Sequence, residues 1–310
     1  MKLATRINSF LKGRSLDEVL ADFEDLGLGY VDLNFGEHTT EYSAVEMKRV
    51  LAAHNLQLNG VALRFHEDYL NGDLGNDNEV LSQQALADCK KAADYCREAG
   101  GKVVTIWMAH DGFDYSFQIN YAKVWHKIVE SFQKISDYAP DLKISVEYKP
   151  FQPRAYAFVD SMGISGMMLS EVNRENFGMT LDYCHMLMKH ENPAFAADVF
   201  GARKKIFGIH INDGYGLNDD GLMVGTASPF KTLELLFYLK KHHYDGVYYF
   251  DTFPVIEGAK DECRANINML NRMNKLLDDM GLDKIEQIIA QNDAIAAQKL
   301  MLSFLKESGN

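Results

Sequence analysis

The sequence predicts an α/β chain folded as a (β/α)8 TIM barrel with an extra C-terminal helix. Eight short runs rich in β-branched and aromatic residues alternate with amphipathic helical patterns, which implies right-handed βαβ crossovers and a parallel sheet. Eight such units in about 260 residues match the size of a closed barrel. A doubly wound open sheet is the competing architecture. It should carry a phosphate loop after its first strand, and Arg6 to Gly13 is no such loop.

The predicted elements follow one another through the chain. The expected strands are 2–7, 29–35, 58–65, 102–108, 143–149, 179–185, 207–213 and 247–251. The expected helices are 15–26, 41–55, 79–99, 121–138, 157–172, 194–203 and 229–242, and the first begins with a Ser15-x-x-Glu18 capping box. Helix 259–280 then closes the ring, and helix 283–307 exceeds what a barrel needs. We therefore predict a barrel over residues 1–258 and a barrel-closing helix with a helical extension over 259–310.

Composition limits the class of partner. The formal net charge is −12, which would repel a nucleic-acid backbone. The four cysteines lack metal-site spacing and are too few for a disulfide framework. The N-terminus has no apolar signal region, and no apolar run approaches the length of a membrane span. We expect a cytoplasmic protein with neither nucleic acid nor membrane as a partner.

Four consecutive strand-like runs, the fifth to the eighth, end in metal-type ligands: Glu147, Asp182, His210 and Asp251. A charge at the end of a buried strand is costly, and in a barrel the carboxyl ends of the strands meet at one mouth. The plain alternative is a set of ordinary polar strand ends. Three carboxylates and one imidazole favour an octahedral divalent ion. We predict Mn²⁺, with Mg²⁺, Co²⁺ and Zn²⁺ as alternatives.

A second ion is also conceivable on the same side of the mouth. His185 stands three residues beyond Asp182, and on an extended strand it would be displaced toward the mouth. The loop 212–225 is rich in carboxylates and glycine and could complete that second site.

These residues carry a family resemblance. The chain resembles the xylose isomerase-like superfamily of sugar isomerases and epimerases, and within it the rhamnose isomerase branch. The strand end Val146-Glu147-Tyr-Lys149-Pro150 resembles the family's Glu-x-Lys-Pro, and Asp182-Tyr-Cys-His185 resembles its acid-x-x-His pair. His210 and Asp251 match the remaining ligand strands.

Further segments extend the resemblance over most of the barrel. The stretch from Asp219 to Phe230 resembles the second-metal loop, although Gly221 stands where the isomerases usually have an Asp. Phe65-His66-Glu-Asp68 is similar to the ring-opening stretch but one residue shorter, and Trp107 falls where an aromatic floor for the sugar is usual.

The resemblance implies an aldose-ketose isomerase that acts on an unphosphorylated monosaccharide by metal-assisted hydride transfer between C1 and C2. Its implied metal ligands are Glu147, Asp182, His210 and Asp251, with His185 and Asp219 at a second ion. Lys149, Glu147, Asp251 and His66 are the implied catalytic residues, and Trp107, His185 and Arg154 the expected substrate contacts. Barrels of this kind often pair, so we expect a homo-oligomer, a dimer or tetramer.

Three alternatives stay open. A ketose 3-epimerase, or a related sugar or inositol epimerase-dehydratase, would work by proton transfer through an enediolate. Such epimerases use two Glu residues, whereas this chain has the shorter Asp251 and also Lys149, which favour the isomerase. A repair endonuclease of this barrel type needs a basic surface and more histidines, and a non-catalytic barrel would bind a sugar without converting it. No clustered Arg, Lys or Gly loop marks a phosphate pocket, which favours a neutral sugar.

Overall fold

The computed structural model describes residues 1–305 and contains eight parallel strands that form a nearly closed barrel. The strands are β1 (Lys2–Thr5), β2 (Tyr30–Asn34), β3 (Gln57–Arg64), β4 (Val103–Trp107), β5 (Lys143–Glu147), β6 (Phe177–Asp182), β7 (Ile206–Ile211) and β8 (Val247–Phe250). Their order is β1-β8-β7-β6-β5-β4-β3-β2, and each neighbouring pair is parallel. β1 and β2 contact each other at the remaining seam without a hydrogen-bonded ladder between these two strands. The predicted (β/α)8 TIM barrel is confirmed.

Helices surround the sheet on its outer face. They are α1 (Ile7–Leu11), α2 (Leu16–Asp25), α3 (Ala44–Ala53), α4 (Glu79–Ala99), α5 (Tyr121–Tyr138), α6 (Met162–Val172), α7 (Tyr183–Met188), α8 (Pro193–Ala202), α9 (Pro229–Lys241), α10 (Ala259–Met280), α11 (Leu282–Ile289) and α12 (Ala294–Leu305). α10 packs against α9 and α1 and so completes the ring. Within residues 1–305, no helix combines the length and apolarity that crossing a lipid bilayer requires.

Local sequence signals explain where helices begin. At α2, the Ser15 hydroxyl accepts a hydrogen bond from the Glu18 amide at 3.3 Å, and Glu18 Oε2 accepts one from the Ser15 amide at 2.8 Å. The predicted capping box is therefore confirmed. Ser43 and Glu46 repeat it at α3. Each box satisfies backbone donors that a helix start would otherwise leave unpaired.

The hydrophobic core lies between the strands and the helices. Phe23, Phe132, Phe177 and Phe200 are almost fully buried there. Inside the barrel, below the mouth, Thr180 Oγ1 contacts Ser145 Oγ at 2.7 Å and Thr105 Oγ1 at 3.3 Å. Packing of apolar helix faces onto the sheet supplies the main driving force for this arrangement, because it removes the most apolar surface from water.

Several predicted elements have other bounds in the structure, and three of them show a clear local cause. The first strand ends at Thr5, because the chain turns into α1. The predicted strand 179–185 ends at Asp182, whose side chain accepts a hydrogen bond from the His185 amide at 2.9 Å and so starts α7. Tyr156–Ala157 pairs with Gly112–Phe113 in a short antiparallel ladder, so the predicted helix 157–172 begins only at Met162.

The C-terminal extension is two helices rather than one. The predicted helix 283–307 is interrupted at residues 290–293, where Asn292 has a left-handed φ of 48°. Asn is common at such a helix end, and Asp293 Oδ1 then accepts from the Ile295 amide at the start of α12. Residues 306 and 307 of that prediction lie outside the described residues. The division of the chain at 258/259 stays a prediction.

Candidate active site

A cavity of about 500 Å³ opens at the carboxyl ends of the barrel strands. One side is formed by residues at or near the carboxyl ends of β5 to β8, including Glu147, His210 and Asp251. The opposite side is formed by the ends of β1 to β3. This is the mouth at which barrel active sites are built.

The structure brings the four predicted metal-type side chains together. One ligand atom from each of Glu147, Asp182, His210 and Asp251 lies within 4.8 Å of the others. His210 Nδ1 is 3.1 Å from Glu147 Oε1, 3.9 Å from Asp182 Oδ2 and 4.0 Å from Asp251 Oδ2. Four ligand atoms therefore converge at one point of the mouth.

The charges of this cluster are poorly balanced by protein groups. The pKa of Asp182 is raised to about 7, chiefly by burial; the His185 imidazole opposes the rise, and the carboxylates of Asp219, Glu147 and Asp251 add to it. Burial and the Glu147 carboxylate likewise raise the pKa of Asp251. Burial opposes protonation of His210, yet Glu147 and the two aspartates raise its pKa to about 10. Two buried carboxylates and the half-buried Asp251, all facing one imidazole, fit a divalent cation, which would relieve their repulsion.

Asp182 and Asn212 support the cluster from below. Asp182 is 1% exposed, and besides the His185 amide it receives a hydrogen bond from Asn212 Nδ2 at 3.3 Å. The same amide donates to the Asp251 carbonyl at 3.0 Å. Asn212 thus ties the ends of β6 and β8 together, and such supporting groups orient metal ligands.

The second predicted cluster has a different character. One ligand atom each of Asp182, His185 and Asp219 lies within 4.8 Å of the others. However, Lys149 Nζ donates to Asp219 Oδ2 at 2.9 Å, and His185 Nε2 contacts the same oxygen at 3.2 Å. His185 Nδ1 must donate to the Tyr148 carbonyl at 3.0 Å, because a carbonyl only accepts. A buried lysine therefore already faces the carboxylate that a second ion would need.

Gly221 is a further difference between this second cluster and the second-metal site of the isomerases. Its φ is +55°, and a Cβ built there would lie 2.2 Å from Phe253 Cδ2. The aspartate that the isomerases usually carry at this loop position has no room here, because the Phe253 ring occupies its space.

Two other predicted site residues stand away from the cavity. His66 is 44% exposed in its side chain, and its Nε2 lies 3.7 Å from Glu37 Oε1. Arg154 pairs with Asp114 at 2.7 Å and lines a smaller neighbouring pocket. Trp107 does line the main cavity, with Lys149 Nζ 5.2 Å from its ring centroid.

Sequence reasoning missed the side of the mouth formed by β1 to β3. Arg6, Asn34 and Arg64 stand at or just after the ends of these strands and line the cavity, as do Asn8 and Glu37. The rule that located Glu147 and Asp251, a polar residue at a strand end, would also have located Arg6, Asn34 and Arg64.

A family model described as a xylose isomerase-like TIM barrel matches residues 20–273, which is most of the chain. The chain belongs to the xylose isomerase-like TIM barrel family. The predicted resemblance to the xylose isomerase-like superfamily is thereby confirmed, whereas its rhamnose isomerase branch stays a prediction.

Solved structures of related architecture include two sugar epimerases and a zinc-binding protein. A D-allulose 3-epimerase from Methylomonas sp. is 16% identical with a TM-score of 0.74, and the match covers 88% of this chain and 98% of that one. An L-ribulose 3-epimerase is 13% identical with a TM-score of 0.70 and full coverage of both chains. The IolI protein with a zinc atom bound is 19% identical with a TM-score of 0.71, covering 88% and 98%. At these identities the likeness establishes the shared barrel.

Proposed function

We propose that this xylose isomerase-like barrel is a divalent-metal-dependent sugar epimerase. It would invert the carbon next to the keto group of a monosaccharide by removing and returning a proton. The cluster of Glu147, Asp182, His210 and Asp251 supports the metal dependence. The names of two similar structures, a D-allulose and an L-ribulose 3-epimerase, support the reaction class.

The observation that carries the choice of epimerase over isomerase is the ion pair of Lys149 with Asp219. In the isomerase reading, Lys149 would stabilise the charge on the sugar O1, and Asp219 would hold a second ion. The structure instead joins the two, with side chains only 9% and 15% exposed, and Phe253 fills the space beside Gly221. Proton transfer at a site with one ion requires neither a free Lys149 ammonium nor a free Asp219 carboxylate.

The residues then divide into ligands and proton-transfer groups. A bound divalent ion would act as a Lewis acid on adjacent oxygens of the sugar and acidify the intervening C–H. Glu147 and Asp251 both line the cavity, whereas Asp182 lies beneath it. One of the two cavity carboxylates would take the proton from carbon, and the other would return a proton to the opposite face. For the reverse reaction their roles exchange.

Aldose-ketose isomerisation is the second candidate, because Glu147-Tyr-Lys149-Pro150 resembles the isomerase strand end. It would require Lys149 to leave Asp219 when the sugar binds. Breaking a buried ion pair is costly, so this route is disfavoured.

Proton NMR in D₂O separates the two candidates. Protein loaded with Mn²⁺ is diluted and incubated with a panel of ketoses and aldoses, beside an EDTA-treated sample. We expect metal-dependent inversion with one deuterium at C3. Conversion of aldose to ketose with little deuterium at C1 would replace the epimerase by a hydride-transfer isomerase. Absence of any conversion, with Mn²⁺ binding intact, would point to a non-catalytic sugar-binding barrel.

A further inference from the structure

The side of the mouth that faces the metal-type cluster carries two arginines. Arg6 directly follows β1, Arg64 ends β3, and both line the cavity that Glu147 and Asp251 also line. Each guanidinium lies over an aromatic ring: Arg6 Cζ is 4.7 Å from the centroid of Phe253, and Arg64 Cζ is 5.5 Å from that of Trp107. Stacking of this kind fixes the plane of the guanidinium while leaving its N–H groups free to bind.

Neither arginine has a protein acceptor. Among residues 1–305, no oxygen accepts a hydrogen bond from Arg6 or Arg64, and no carboxylate lies within 4.0 Å of either guanidinium. Arg97 and Arg174 show the usual alternative, since each donates two hydrogen bonds to one aspartate. Arg6 is, moreover, half-buried. A guanidinium is always charged, so two of them in one cavity leave several strong donors unused.

The two carboxylates on this side accept hydrogen bonds from asparagine amides. Glu37 Oε2 accepts from Asn8 Nδ2 at 2.9 Å and from Asn34 Nδ2 at 3.0 Å. Both oxygens of Asp32 accept from the Asn59 amide, at 2.8 and 3.1 Å. Neither carboxylate pairs directly with an arginine, so both guanidinium groups are free to bind an anion that enters the cavity.

The position of Arg6 also explains Gly221. Because Gly221 has no side chain, the Phe253 ring packs against it, and that ring supports Arg6. The loop that lacks the isomerases' aspartate thus supports the guanidinium of Arg6 instead. The missing side chain at Gly221 and the position of Arg6 are thus parts of one local arrangement.

We propose that the substrate carries an oxyanion, a carboxylate or a phosphate, which Arg6 and Arg64 bind while its sugar carbons face the metal-type cluster. This inference rests on the proposed epimerase function and specifies its substrate class. It replaces the expectation of a neutral sugar, which was based on the absence of clustered basic residues in the sequence. Guanidinium forks match both oxyanions geometrically, and a neutral hydroxyl would leave their charge uncompensated.

Three compounds with a common carbon skeleton test the proposal: a neutral ketohexose, the ketose acid with a terminal carboxylate, and the ketose phosphate. Dissociation constants are measured by calorimetry on Mn²⁺-loaded protein, and kcat/KM by NMR. We expect one anionic compound to bind about 10- to 100-fold more tightly than the neutral one, as charge-assisted hydrogen bonds would give. The anion with the lower dissociation constant identifies the group, carboxylate or phosphate, that the two arginines recognise.

Matched variants assign the effect to the two arginines. Arg6→Met and Arg64→Met should each remove most of the preference for the anion, while Arg272→Met removes the same charge from an exposed position on α10 and should leave it intact. Arg64 is exposed, so its variant keeps the fold even if Arg6→Met does not.

The outcomes separate this inference from the proposed function. Equal binding of all three compounds, unaffected by Arg64→Met, would overturn the oxyanion site even if the neutral ketose is inverted. Arginine-dependent binding of an anion that is never inverted would support the oxyanion site and reject the epimerase.

Discussion

Replacing Lys149 by methionine tests the ion pair on which the choice of reaction depends. Lys149 Nζ lies 2.9 Å from Asp219 Oδ2, and methionine keeps most of the side-chain volume beside Trp107 while removing the charge. The substitution leaves Asp219 with His185 Nε2 at 3.2 Å as its remaining partner. Its Oδ1 atom is buried without a hydrogen-bond partner among residues 1–305, so Asp219 depends on these two contacts.

The size of the effect follows from burial. A hydrogen bond to a charged group contributes about 1.5–3 kcal/mol, and at about 2–4 °C per kcal/mol this corresponds to a melting temperature lower by about 3–12 °C. Lys275→Met is the matched control. Lys275 pairs with Asp279 at 2.8 Å, but these side chains are 64% and 56% exposed, and an exposed pair contributes about 0.5 kcal/mol or less.

The rate of the same variant distinguishes the two reactions. If Lys149 stabilised a developing charge on O1, its removal would lower kcat by about 10²- to 10³-fold, as loss of an oxyanion donor does. In the epimerase the reacting groups are Glu147 and Asp251, so we expect a loss below about tenfold and unchanged deuterium entry. The assay is the NMR time course in D₂O beside thermal unfolding. A folded Lys149→Met protein that loses more than about a hundredfold in rate would refute the reasoning.

Four further predictions address the site and the assembly. Glu147→Gln should lower the inversion rate by about 10²- to 10⁴-fold with the fold intact, and an undiminished NMR rate would contradict its role. Mn²⁺ at about 100 times its Kd should raise the free energy of unfolding by about 2.7 kcal/mol, and His210→Ala should abolish this shift in thermal melts. An equal shift in the variant would argue against the site. Burial raises the pKa of Asp32 to about 6, so its ionised form destabilises the fold as pH rises from about 4 to 6. Asp32→Asn should therefore stabilise the protein by about 1–2 kcal/mol more at pH 8 than at pH 4 in urea titrations, and the opposite sign would contradict this. Deleting residues 281–310 should convert the expected oligomer into a monomer of about the chain mass in light scattering, and a monomeric full-length chain would contradict the oligomer.

The fold was predictable because it repeats. Eight alternations of a buried strand and an amphipathic helix constrain the topology, and the barrel then forces the strand ends to meet. That is why residues as distant in sequence as Glu147 and Asp251 could be expected to lie together on the strength of their strand-end positions alone. Their assignment as metal ligands stays a prediction.

The positions of other site residues could not be predicted from strand ends, because tertiary contacts decide where the side chains of a loop point. His66 and Arg154 follow strands, yet neither lines the main cavity: the His66 side chain is 44% exposed, and Arg154 pairs with Asp114 at 2.7 Å. Asp182 serves as a helix cap as well as a strand end, so His185 lies on a helical turn. The break at Asn292 was readable in principle, because an Asn-Asp pair suits a helix stop followed by a new cap.

The two sides of the mouth are encoded in separate stretches of the chain. The metal-type side chains lie between residues 143 and 251, whereas Arg6, Asn34 and Arg64 precede residue 65. The seam between β1 and β2 carries no ladder, so the first strand joins the sheet through β8 alone. A chimaera that exchanges the first 64 residues with those of another member of the family would therefore transplant substrate choice while leaving the proton-transfer groups in place. Under the roles proposed here, the proton-transfer groups and the substrate-binding groups of this barrel lie on two separate segments of the sequence.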